Sequence, residues 1–266
     1  MRKTILLLTL VACGGSTPAP KAEDPSSTPS PTSAQPRRGN AGGMPSVSQE
    51  LGSIDEGAVQ KTFDRLQTKL EVCHEHGRRK VEFLSGDVKV FLRVGQDGRV
   101  RYGYLEGSTI GDRETESCIL DVFSRADWPK PQGGEAEIRN GFGWSAGSER
   151  QPASWPAEKA LNALGPDDRK AIDECKAGAS GTYKVTGYVE PGEVEAPAVV
   201  EPPKKPGGKK APPPPAPKEP GGKFKAIGIA VPGKDAAAKA DCIVDALRNV
   251  ALPSPGSYAA KVTFTL

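Results

Sequence analysis

The run Cys73-His74-Glu75-His76 gathers both histidines of a 266-residue chain beside a thiol and a carboxylate, the donor types that hold transition metals. On a helix of about 3.6 residues per turn, residues 74 and 76 stand about 200° apart. Their imidazoles diverge, so a shared ion is not expected, and the histidines read as solvated residues near a helix end. With no third histidine, a Ser-His-Asp or Cys-His hydrolase is hard to assemble. No catalytic residue, no cofactor and no metal is expected, and the chain reads as a non-enzyme.

The cysteines offer a different chemistry. Four follow Cys13, and four allow three connectivities. An internal repeat selects among them. Cys118-Ile119-Leu120-Asp121 is matched by Cys242-Ile243-Val244-Asp245, and ten residues after each cysteine comes a large apolar residue with Pro-x-Pro, in Trp128-Pro129-Lys130-Pro131 and Leu252-Pro253-Ser254-Pro255. Gly98 and Gly222 precede these cysteines by the same 20 residues, and Ile138 and Phe142 pair with Val262 and Leu266. Further back, Ser85-Gly86 and Val88-Lys89-Val90 match Ser180-Gly181 and Tyr183-Lys184-Val185, while Cys73 corresponds to Cys175. The offset widens from 95 to 124 between the blocks, so the second copy carries 29 extra residues, the Pro-rich stretch at about 191–221. Each copy supplies one cysteine from each of two helices. Bonds Cys73 to Cys118 and Cys175 to Cys242 are the pairing that lets both copies fold alike, in an oxidising compartment.

These positions need elements to hold them. Val59, Phe63, Leu66, Leu70 and Cys73 form one apolar stripe at helical spacing, with Ser53 and Glu56 as a capping box and Gly77 as the stop. Val88, Val90, Leu92 and Val94 alternate with Lys89, Phe91 and Arg93 as a strand, and a Gln96-Asp97-Gly98 turn leads to a partner strand over 99–105. A helix over about 112–125 carries Cys118, and a third strand presents Ala136, Ile138 and Phe142 on one face. In the second copy Gly165-Pro166 breaks the first helix. The fold class is α+β: two tandem helix-strand-strand-helix-strand domains, 53–146 and 155–266, each with two helices on a three-stranded antiparallel sheet.

Ahead of them, Arg2 and Lys3 precede an apolar run from Ile5 to Ala12 that is too short to span a bilayer, which takes about 20 apolar residues. Residues 1–12 are a signal peptide, and Leu10-Val11-Ala12-Cys13 resembles the lipobox of bacterial lipoproteins, in which the cysteine is acylated. Cys13 is the expected lipidation site and the membrane anchor, and Gly14 after it, lacking the aspartate of the inner-membrane sorting rule, favours the outer membrane, facing the periplasm. Residues 13–52 are rich in Pro, Ser, Thr and Gly and read as a disordered tether spanning roughly 35 Å on average. Without Arg2 and Lys3 the 36 basic residues fall to 34, against 33 acidic ones. That near-neutral balance makes nucleic acid an unsuitable partner.

The residues of the two copies carry a resemblance to the TonB C-terminal domain family, and more closely to its AgmX/PglI variant in gliding-motility proteins. The shared features are a helical cysteine, a Gly-x-Val strand entry, a second cysteine followed by isoleucine, and an aromatic-Pro-x-Pro before the final strand. Departures are Cys73-His74 and Cys175-Lys176 where the family has a tyrosine after the cysteine, Leu252 for the aromatic, and the hairpin insertion. The resemblance implies a non-catalytic envelope module that binds or scaffolds another envelope protein. The alternative is a lipoprotein that binds peptidoglycan through its basic insertion.

A right-handed crossover places strand three beside strand one, giving the order two, one, three, with strand three at an edge open to an incoming extended peptide. The candidate edges are Glu135 to Phe142 and Tyr258 to Leu266. The second alternates without interruption, which makes Tyr258, Ala260, Lys261, Val262, Thr263 and Phe264 the expected partner-binding residues, with Lys261 as an outward charge.

Overall fold

A computed structural model describes residues 51–147, 149–192 and 221–266. The expected signal peptide, the expected lipidation site Cys13, the expected tether up to residue 50 and residues 193–220 of the insertion lie outside the described residues.

The first helix, α1 (Glu56–Arg78), buries Phe63, Leu66, Leu70 and Cys73 along one stripe. Its cap is Asp55, whose side chain accepts the Ala58 N–H, and not Ser53, whose backbone instead bridges Gln132. Gly77 does not stop the helix. It is buried within α1, where a Cβ would stand 2.1 Å from Thr115 Oγ1 and 2.6 Å from Leu84, so glycine lets the next helix approach. The hairpin β1 (Gly86–Val94) and β2 (Val100–Ser108) follows, then α2 (Arg113–Ser124) capped by Asp112, then β3 (Ala136–Trp144). These strands order as β2-β1-β3, all antiparallel.

The second copy opens with β4 (Ala153–Trp155), and its first helix is split into α3 (Ala157–Ala163) and α4 (Pro166–Lys176). Pro166 at the first helical position has no N–H to satisfy, so the chain restarts the helix there. Next come β5 (Lys184–Pro191), β6 (Gly222–Ala230), α5 (Lys234–Ala237), α6 (Ala240–Arg248) and β7 (Ala260–Thr265), giving the sheet order β4-β7-β5-β6.

The repeat is reproduced at the level of single pairs. Leu92 faces Ile138 and Gly103 in the first sheet, and Gly187 faces Val262 and Ile227 in the second. An irregularity interrupts the hairpin between Arg93 and Val94, and again between Tyr188 and Val189. The Gly and Pro-x-Pro motifs also meet in the same way. Trp128 N–H donates to Gly98 C=O and Leu252 N–H to Gly222 C=O, both at 3.0 Å. Gly98 has φ +79, and a Cβ there would lie 2.4 Å from Trp128 O, so both conformation and space require glycine.

Disulfides join Cys73 to Cys118 and Cys175 to Cys242, with Cα atoms 5.7 and 5.6 Å apart. They tie α1 to α2 and α4 to α6, the pairing the repeat selects. The described residues of the two copies pack together in one compact unit. Val231 N–H donates to Leu105 C=O at 2.9 Å, which lays the second copy against the outer strand β2. Tyr188, fully buried, belongs to the first copy's core although β5 carries it, and its hydroxyl donates to Ser85 C=O at 3.2 Å.

Candidate functional site

With β2 covered by the second copy, β3 is the open border of the first sheet among the described residues. A groove runs between it and α1. Its floor is Phe63, held edge-on by Phe123 and Trp128 at 5.4 and 5.0 Å between ring centres. Two adjoining hollows of about 360 and 490 Å³ share Gln60, Phe63 and Asn140. Leu70, Phe142 and Trp144 continue the wall at one end, and Ile54, Val59 and Ile138 at the other.

The corresponding edge of the second copy is occupied, which corrects the expectation for Tyr258 to Phe264. There β4 pairs in parallel with β7, Ala153 with Ala260, Ser154 with Lys261 and Trp155 with Val262, and Trp155 is buried. Ala260, Val262 and Phe264 belong to the core. The Tyr258 hydroxyl donates to Arg150 C=O at 2.7 Å, and Thr263 Oγ1 lies 3.0 Å from Thr186 Oγ1. Lys261 is no outward charge either. Its ammonium donates to Ser85 C=O at 2.7 Å and sits 5.1 Å from the Tyr188 ring centre, and burial pushes its pKa down to about 8. The physical reason is that the chain itself supplies the strand that an exposed β7 would otherwise attract.

Both copies begin this pairing alike and then diverge. Ala153 N–H donates to Ala259 C=O at 2.9 Å, and Gly52 N–H to Glu135 C=O at 2.8 Å, the two acceptors being 124 residues apart as in the repeat. In the first copy the chain then turns to pair Ser53 with Gln132, instead of continuing along the strand. Since Glu135 C=O points outward, alternation turns the backbone groups of Glu137, Arg139, Gly141 and Gly143 outward too. Among the described residues only the Gly141 N–H of these donors finds an acceptor, Asn140 Oδ1 at 2.9 Å. Around this edge the charges alternate. Arg139 pairs with Glu106 and Glu137 at 3.0 and 2.9 Å, and Arg93 with Glu135 and Glu137 at 2.8 and 3.0 Å.

Three features escaped the sequence reading. The fully buried Glu116 reaches from α2 into the junction, accepting from Ser108 Oγ at 2.5 Å and from Ile229 N–H of β6 at 2.8 Å. Burial pushes its pKa up to about 7 against those two hydrogen bonds. In the helical pattern it looked like one more surface carboxylate. Gly143-Trp144-Ser145-Ala146-Gly147 has the Gly-x-Ser-x-Gly spacing of a nucleophile elbow, yet residues 145–147 are irregular and the next described element is the strand β4, not a helix. Gly228 to Lys234 likewise has the spacing of a phosphate loop, but Asp235 replaces the Ser or Thr and only the four-residue α5 follows.

In the Cys73-His74-Glu75-His76 run, Cys73 is oxidised, His74 is buried and His76 is exposed. The donors that converge are Glu71, His74 and Glu75, whose ligating atoms lie within 4.8 Å of one another. No helix among the described residues is long and apolar enough to cross a membrane. No family model matches the chain, and neither a curated protein nor a solved structure matches it.

Proposed function

We propose that this chain is a non-catalytic envelope lipoprotein, anchored through Cys13 to the outer membrane, whose folded part holds an extended segment of another envelope protein along β3. The observation that carries this reading is the contrast between the copies: β4 fills the edge of β7, whereas among the described residues no strand pairs with the outer side of β3 from Glu137 onward, which borders a groove with an aromatic floor and a largely polar rim. β4 is an internal example of the ligand, an extended segment that buries one aromatic residue. Main-chain hydrogen bonds give such a complex its affinity and the groove selects side chains. The resemblance to TonB-like domains and the two disulfides support an exported binding module.

A photo-cross-linking residue at Arg139 is expected to label one short segment of one envelope protein, while the same group at Asp245 labels none. Glu137→Pro removes an outward N–H and leaves the main-chain bonds to β1 in place, while Arg93 keeps Glu135 in exchange for the lost Glu137 carboxylate, so it is expected to abolish the cross-link at unchanged circular dichroism. Undiminished labelling by the folded proline variant excludes strand addition. Retention on purified peptidoglycan at high salt, insensitive to Glu137→Pro, would favour the cell-wall reading instead.

The anchor has its own test. Cys13→Ser is expected to move the protein from the membrane to the soluble periplasmic fraction, because several acyl chains, each buried CH₂ worth about 0.8 kcal/mol, are lost at once. A variant that still partitions into detergent would refute the anchor.

A further inference from the structure

We propose that Glu71, His74 and Glu75 form a binding site for a divalent transition-metal ion on one face of α1. Their spacing of three and four residues puts the side chains next to one another. His74 is only 5% exposed, and its Nε2 lies 2.9 Å from Leu84 C=O. A carbonyl can only accept, so Nε2 carries the hydrogen and, in the neutral ring, the lone pair is on Nδ1. That buried atom has no hydrogen-bond partner. It faces Glu71 Oε1 at 3.7 Å, a lone pair opposite a carboxylate.

A cation resolves this arrangement. Two donors each about 2.1 Å from one ion stand roughly 3 to 4 Å apart, which is the observed separation. Both donors are already oriented by outer contacts of the kind that metal-binding ligands use. The Leu84 carbonyl fixes the imidazole tautomer, and Trp144 Nε1 donates to Glu71 Oε2 at 2.8 Å. The Trp144 ring stacks on His74 at 4.5 Å and 7°, closing one side. Glu75 is exposed and supplies the third oxygen. Its present partner, Arg78 at 3.4 Å, has Glu149 at 2.7 Å to hold it when Glu75 turns to the ion. One imidazole nitrogen and two carboxylates neutralise a divalent charge and suit Zn²⁺, with water completing the coordination. His76 takes no part.

The test is titration of the full-length, disulfide-bonded chain in detergent with Zn²⁺ by calorimetry, and with Cu²⁺ while following tryptophan fluorescence. One saturable Zn²⁺ site is expected, with Cu²⁺ quenching the fluorescence of Trp144. Glu71→Gln and Glu75→Gln alter exposed side chains, and each is expected to weaken binding by about tenfold or more, whereas His76→Ala leaves it unchanged. Absence of a saturable site overturns the proposal. So does binding that survives both glutamine substitutions and is lost in His76→Ala. His74 imidazole resonances that ignore Zn²⁺ would also overturn it.

Discussion

Reduction of both disulfides is expected to remove most of the stability of the folded part. The bonds close loops between cysteines 45 and 67 residues apart, and in the chain-entropy model each such closure stabilises by about 4 kcal/mol. A domain's whole stability is about 5–15 kcal/mol, so losing two such constraints brings the native state close to its unfolding midpoint in water. The pairs Cys73→Ser with Cys118→Ser, and Cys175→Ser with Cys242→Ser, should each shift the urea midpoint by roughly half as much as full reduction. Denaturation curves with and without reductant measure this. Coincident curves would mean that α1 with α2, and α4 with α6, are held by packing alone.

The second large effect is a dependence on pH centred at the junction of the copies. Burial raises the Glu116 carboxyl from the usual carboxylate range to about 7, so the folded state binds a proton that the unfolded chain has already released. Below about pH 4.5 the group is neutral in both states and folding bears no charge penalty. As pH rises through about 7 that advantage is lost, up to a penalty of about 3 kcal/mol. Glu116→Gln keeps an acceptor for the Ile229 N–H and, without the charge, turns Ser108 Oγ from a donor into the acceptor of the amide NH₂. Urea denaturation across pH should therefore give a variant more stable than the parent at about pH 8, and a difference that shrinks as pH falls and vanishes below about pH 4. A difference that does not change with pH would mean that water reaches the carboxylate.

Much of the fold was legible because the chain says it twice. Two offsets, 95 and 124, align the strand pairs, the hairpin irregularity and the Gly98 and Gly222 contacts; 124 also matches Cys118 to Cys242, while Cys73 and Cys175, 102 residues apart, correspond by their place on the first helix of each copy. What the repeat cannot convey is where the copies differ. Ala153-Ser154-Trp155 is too short to show a period, and a parallel strand gives no turn signal, so the occupied edge of β7 was invisible. The interface was hidden for a related reason. A repeat predicts two self-contained cores, whereas Tyr188 and Ala226 of the second copy fill the first. Glu116 and Glu71 look like ordinary helix carboxylates until a partner from another element reaches them, Ile229 N–H in one case and Trp144 in the other. The sequence sets His74 beside His76, and the divergence of those two rings speaks against a shared ion; the helix sets it beside Glu71, its neighbour in space.

The bond between Cys73 and Cys118 also decides how the fold bears tension. A pull entering at Leu51 from the N-terminal side first meets the hydrogen bonds of Gly52 and Ser53 to Glu135 and Gln132, which can be broken one after another. Past them α1 can be peeled turn by turn, but only as far as Cys73, where the covalent link hands the load to α2 and to the sheet beneath it. The five turns or so of α1 ahead of that link are a short extensible leader. The last turn, with His74 and Glu75, lies behind the link, and so does β3.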